Sequence, residues 1–261
     1  MLIGRIAELL GGPATRFGLD EAAWREALGA PVFDGLLDAD LKRLREVAAD
    51  LLHARRFSGA GGQEMGAYEA TLIAAFAALP VMALGAAAYG DWLEVIVYPG
   101  EFLYEGHETD PDGIVHHIRH ARAGEAMAGG PMVLSWQDVL ASGTGEGYNV
   151  VIHEFAHKLD MANGAVDGLP PLHPGMSVAA WAEAFNAAYQ DICRRADAGE
   201  EPAIDPYAAE SPAECFAVFT EYFFEMPDVL AEAYPAVYEQ MRLYYKQDPL
   251  SRIQLYDAAN P

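Results

Sequence analysis

The sequence predicts an α+β fold, mainly α, with an N-terminal helical region and a small mid-chain sheet. Three observations carry this. Residues 38–56 (DADLKRLREVAADLLHARR) place Leu41, Leu44, Val47, Leu51 and Leu52 on one helix face. Residues 92–98 (WLEVIVY) and 131–136 (PMVLSW) are short, apolar strand-like runs. Helical spacing then returns in four segments, at about 148–162, 178–197, 211–225 and 232–247.

Residues 1–12 (MLIGRIAELLGG) read as a short amphipathic helix, because Arg5 and Glu8 interrupt the apolar run a signal peptide needs. Gly59, Gly61 and Gly62 end the 38–56 helix. The Ala-rich stretch 70–88 contains Pro80 and reads as two buried helices broken at the proline. Pro99-Gly100 stops the first strand, and the polar stretch of about 105–125 reads as a loop region. The Pro/Gly-rich segment 164–175 is the longest irregular stretch near the motif described below, and loops of that kind often border active sites. With 261 residues, 52% of them hydrophobic, the chain can bury a sizeable core. The expected division is a helical region, 1–90, followed by residues 91–261, or one compact unit overall.

The formal net charge is −23, from 16 basic and 39 acidic residues. Such a surface repels phosphate backbones and anionic membranes, so no direct nucleic-acid or membrane partner is expected. It attracts divalent cations and partners with a basic patch. No run reaches the roughly 18 apolar residues of a membrane span. The two cysteines, Cys193 and Cys215, indicate no disulfide framework, and a cytoplasmic location is expected.

Residues 149–161 (NVVIHEFAHKLDM) contain His153-Glu154-x-x-His157. On a helix, positions i and i+4 share a face, so the two imidazoles can meet one zinc ion. Glu154 beside them serves as catalytic base, taking a proton from a water that the zinc acidifies and passing it to the leaving amine. Asn149 is a suitable N-cap and Asn163-Gly164 a C-terminal stop. This reads as a zincin-like metallopeptidase domain within residues 91–261. The bland alternative is a helix with two ordinary histidines and a solvated glutamate.

A zinc peptidase needs a third protein ligand. Within residues 205–226 (DPYAAESPAECFAVFTEYFFEM), Glu210, Glu214, Glu221 and Glu225 all fall on one side of a helix, so periodicity does not choose among them. Ser211-Pro212-Ala213-Glu214 is also a capping box, in which Glu214 could simply close the helix start.

The stretches IVYPGEF, GPMVLSW, NVVIHEFAHKLDMANGAVDGLPPL and DPYAAESPAECFAVFTEYFFE resemble the Mlc titration factor A (MtfA) family of zinc peptidases, in order, from about residue 38 to 226. The catalytic layout is similar to that of the anthrax lethal factor metalloprotease domain. The resemblance implies that the third zinc ligand is Glu214, first in the segment Glu214-Cys215-Phe216-Ala217, and that Tyr207, seven positions earlier, stabilises the oxyanion. The segment departs from the usual pattern at Cys215, where a second aromatic is usual, and at Val218, where an acidic residue is. The resemblance also implies one Zn²⁺ per chain, aminopeptidase-like activity on short peptides, and binding to a glucose-responsive transcriptional repressor (Mlc-like). The rival reading is a protein-binding regulator that titrates a transcription factor, with a weak or silent zinc site.

Three further expectations concern nearby residues. Asp160 lies on the ligand face and either orients a ligand histidine or is a helix-end charge touching Lys158 or solvent. His107, His116, His117 and His120 read as a solvated cluster rather than a second metal site. Ser135 and Trp136 are expected to border the cleft, by analogy with zincins that bind substrate along a sheet edge.

Overall fold

A computed structural model describes residues 13–109, 115–127, 129–200 and 202–260, with the side chains of 103–121 outside the description. The expected helix at 1–12 lies outside the described residues.

The chain enters with Thr15 bridged to Phe57, then forms helix α1 (Glu21–Ala27), capped by Asp20, whose Oδ1 accepts from the N–H groups of Ala22 and Ala23. Helix α2 (Asp38–Ala54) buries Leu44, Val47, Ala48, Leu51 and Leu52, the face its spacing predicts. Strand β1 (Arg56–Gly59) follows at once, where the glycines indicate only a break. Helix α3 (Ala67–Ala78) is apolar all round and buried accordingly. Beyond Pro80 the expected second helix is absent. Turns lead to a short 3₁₀ segment, Ala86–Tyr89, between two positive-φ glycines, Gly85 and Gly90.

Strands β2 (Glu94–Tyr98), β3 (Phe102–Thr109), β4 (Val115–Arg122), β5 (Gly124–Ala126) and β6 (Met132–Ser135) make up the rest of the β structure. One sheet has the order β1-β2-β6-β5; β1, β2 and β6 run parallel, and β5 is antiparallel at the edge. Its register sets Val95 beside Met132 and Gly124 beside Leu134. β3 and β4 form a separate antiparallel pair, running from Phe102 opposite Arg122 to Thr109 opposite Val115. The expected loop region of about 105–125 is therefore largely strand. Its histidines and glycines mask the period-2 pattern, because backbone pairing requires no apolar face. The expected histidine cluster lies on β3 and β4, and its side chains are outside the described residues.

The second half is helical: α4 (Trp136–Ala141), α5 (Val150–Asp160), α6 (Val178–Ala198), α7 (Pro212–Glu225), α8 (Pro227–Ala233), α9 (Pro235–Tyr245) and α10 (Pro249–Ala259). The segment expected as one helix over 232–247 is split. Tyr234 precedes Pro235 and leaves the helical region, with φ −137° and ψ 67°, because the proline ring disfavours a helical residue before it. Among the described residues no helix is long and apolar enough to cross a membrane.

Helix α5 sits at the centre. All 11 of its residues are buried, including His153, Glu154, His157, Lys158 and Asp160. Its start is capped as expected, with Asn149 Oδ1 accepting from Ile152 N at 3.0 Å, and the following 3₁₀ turn ends at Gly164 in the left-handed region. Phe155 packs edge-on against Tyr89 and Trp92. Lys158 Nζ donates to the carbonyls of Met127, at 2.7 Å, and Gly130, at 3.0 Å, fastening the β5–β6 turn to the helix. It also lies 4.8 Å from the centre of the Trp92 ring, and burial lowers its pKa to about 8.

Lys158→Met keeps the stem and removes the donors. Loss of these bonds is expected to cost about 1–3 kcal/mol and lower the Tm in thermal unfolding. An unchanged Tm would mean that the turn is held by packing alone.

Candidate metal centre

Helices α5 and α7 converge over the middle of α5. The i, i+4 spacing brings the rings of His153 and His157 to 4.9 Å apart. Helix α7 crosses them and brings Glu214 Oε2 to 3.0 Å from His153 Nε2 and 3.3 Å from His157 Nε2. The ligand atoms of these three residues all lie within 4.8 Å of one another, and among the described residues they form the one such group of histidines, cysteines and carboxylates.

The start of α7 is fixed from two sides. Ser211 Oγ accepts from Glu214 N at 3.1 Å, but the Glu214 carboxylate does not close the reciprocal half of the capping box; it turns to the histidines. Gly168, with φ +77°, lies so close that a Cβ there would stand 2.4 Å from the Pro212 carbonyl oxygen. Asp160 Oδ2 accepts from Gly168 N at 2.9 Å, and Trp181 Nε1 donates to the Gly168 carbonyl at 3.0 Å. The irregular segment 164–175 thus wedges the first turn of α7 in place. Asp160 follows neither expectation: it is fully buried and holds this loop, and its Oδ1 and His157 Nδ1 both lack a hydrogen-bond partner.

The four glutamates separate by depth and direction. Glu214 faces the Nε2 atoms. Glu221, two turns on, sits behind His153, with Oε1 2.8 Å from its Nδ1 and Oε2 accepting from Asn149 N at 2.6 Å. Glu225 accepts from Asn149 Nδ2 at 2.8 Å and Gly145 N at 2.7 Å; burial pushes its pKa up to about 7 despite these bonds. Glu210 is exposed at the rim. The orienting carboxylate at Glu221 was legible only as a competing ligand, because its distance from the histidines depends on how the two helices cross.

A cleft of about 920 Å³ opens over the group, lined among others by Gly124, Glu125, Tyr148, Glu154, Tyr207 and Glu210. Burial pushes the Glu154 carboxyl up to about 7, against the pull of His153 and His157. Tyr207 is half-exposed, with its ring 6.0 Å from that of His153; burial and the nearby Glu214 raise its pKa to about 12. For Glu214, burial alone acts to raise the pKa, and hydrogen bonds with His153 and His157 outweigh it and hold the carboxyl below the usual range. Burial likewise opposes a charged His153, yet Glu221 and Glu214 raise its pKa well above the ordinary histidine value. Ser135 and Trp136 do not line the cleft. Ser135 is buried as the N-cap of α4, and the strand at the cleft is β5.

The family model described as "Glucose-regulated metallo-peptidase M90" matches residues 15–246, most of the chain. The chain belongs to this family. Its relatives include proteins named Mlc titration factor A. That of Serratia proteamaculans (strain 568) is 40% identical over 242 residues, covering 92% of each chain. That of Yersinia pestis (strain Pestoides F) is 40% identical over 246 residues, covering 92% of this chain and 91% of its own.

Membership in a metallo-peptidase family implies a metal ion, and the donor set fits one. Two imidazole nitrogens and a carboxylate oxygen suit a divalent ion of borderline softness. Donors about 2.0–2.1 Å from a tetrahedral centre stand roughly 3.3 Å apart; Glu214 Oε2 stands 3.0 and 3.3 Å from the two nitrogens.

Glu221→Ala is expected to weaken metal binding by about 10–100-fold, by freeing the His153 ring, whereas Glu210→Ala leaves it unchanged. Metal stoichiometry after dialysis against graded chelator checks this. Equal retention in both variants would show that Glu221 does not orient a ligand.

Proposed function

We propose that the chain is a zinc-dependent peptidase, aminopeptidase-like and cytoplasmic, in which His153, His157 and Glu214 hold one Zn²⁺. The observation that carries the reading is the convergence of two imidazoles and one carboxylate at the floor of an open cleft, with Glu154 beside them. Zinc bound there supplies a Lewis acid that acidifies water and polarises a carbonyl.

The protein's own groups do the rest. Glu154 Oε2 has no hydrogen-bond partner, so this oxygen is free to accept a proton from the attacking water and deliver it to the leaving amine. Tyr207 stands at the rim near His153, where its hydroxyl can donate to the oxygen that gains charge in the transition state. The peptide lies along β5, which pairs with β6 on one side and lines the cleft; main-chain hydrogen bonds to that edge hold an extended substrate.

The family's description as glucose-regulated and the relatives' name, Mlc titration factor A, support a second role, binding of an Mlc-like transcriptional repressor. The same name favours a rival reading, a titrating regulator with a weak or silent zinc site. The −23 charge suits a partner with a basic patch in either case.

Glu154→Gln separates these readings. It is expected to keep zinc near one per chain, keep repressor binding, and lose nearly all hydrolysis of aminoacyl chromogenic substrates; Tyr207→Phe is expected to lower kcat on the order of 10²-fold with zinc retained. The readouts are metal analysis, a peptide panel with free and blocked amino termini, and binding to a purified repressor. Full hydrolysis by Glu154→Gln would exclude the base, and a zinc-loaded wild type that cuts no peptide would favour the titration reading.

A further inference from the structure

Among the residues of the cleft wall, Gly124 stands apart. It lies on β5, opposite Leu134 of β6, and a Cβ at this position would fall 2.4 Å from Glu154 Oε1, 2.5 Å from Cγ and 2.7 Å from Cδ. Its φ is not positive, so the backbone conformation does not call for glycine. What calls for it is the close approach of the strand to one side chain.

The side chain approached is the one the catalytic reading depends on. Glu154 is buried, and no hydrogen bond to its Oε2 fixes the carboxylate. Its orientation is therefore set by contact. The contact surface is itself secured: Lys158, one helical turn beyond Glu154 on the same face, fastens the β5–β6 turn through the Met127 and Gly130 carbonyls.

We propose that Gly124 is a positioning residue, whose bare Cα forms the wall that holds the Glu154 carboxylate in its working orientation. The proposal rests on the reading of Glu154 as the base. A methyl group at 124 requires the carboxylate to retreat by about 1 Å to restore ordinary contact of roughly 3.5 Å. The displaced group is the one that must meet a proton within hydrogen-bond reach.

The experiment compares wild type, Gly124→Ala, Glu154→Asp, the double variant and Glu154→Gln. It measures kcat and KM on one peptide, zinc content, and the Tm of the metal-free forms. Gly124→Ala is expected to lower kcat on the order of 10²-fold with KM little changed and zinc retained, and to lower the Tm. Glu154→Asp withdraws one methylene from beneath the strand. In that background, adding Gly124→Ala is expected to cost no further Tm and much less kcat. Equal losses in both backgrounds, or an unchanged kcat for Gly124→Ala, would overturn the proposal. If Gly124→Ala does not fold, recovery of the fold in the double variant supports the steric contact, and failure of both overturns it. Retained hydrolysis in Glu154→Gln would sink the base reading instead, and with it any positioning role for Gly124.

Discussion

The rest of the structure depends on burying a polar helix. Helix α5 places two histidines, a glutamate, a lysine and an aspartate out of solvent within eight positions. Burying ionisable groups is costly unless each is paired or hydrogen-bonded. The surrounding elements are arranged to supply the partners. Glu221 and Glu214 of α7 take the two nitrogens of His153, the Gly168 amide takes Asp160, and the β5–β6 turn takes Lys158. Glu154 Oε2 is left without a partner, as are His157 Nδ1 and Asp160 Oδ1. An unpaired buried carboxylate is expensive, and such departures from local satisfaction mark functional sites.

The same arrangement ties in the flanking irregular chain. Segment 164–175 packs Gly168 against the first turn of α7, so the loop after the motif helix determines where Glu214 stands. At the other end of α7, Glu225 ties the turn that precedes α5 through Asn149 and Gly145. The two helices are thus cross-linked by side chains at both ends, while their apolar faces, including Phe155, Phe216 and Phe219, join the main core. Rigidity of this kind keeps His153, Glu154, His157 and Glu214 in one mutual geometry.

Much of this was legible in the sequence because it is local. The motif spacing, the Asn149 cap, the Gly164 stop and the strand at 94–98 each follow from a few adjacent residues. What was illegible depends on distant chain segments. Four glutamates of like periodicity became a histidine contact, a histidine orienter, a loop tie and a rim residue only through the crossing of α5 and α7. Glu214 carried both capping and ligand readings; its amide takes the cap from Ser211 while its carboxylate turns to the histidines. The three residues of β5, Gly-Glu-Ala, are too few and carry too little apolar or β-branched character to signal a strand, yet they line the cleft. The break at Pro235 was readable from the proline alone, and was hidden by the apolar periodicity that continues across it.

In the proposed site, two imidazoles and one carboxylate of this chain share a single zinc with an open fourth position. Zinc K-edge X-ray absorption on the purified protein tests it most directly. The expected result is about one zinc per chain in a four-coordinate shell of nitrogen and oxygen at roughly 2.0–2.1 Å, with two imidazole scattering patterns and no sulfur. A sulfur shell near 2.3 Å, or a spectrum unchanged by His157→Ala, would contradict it.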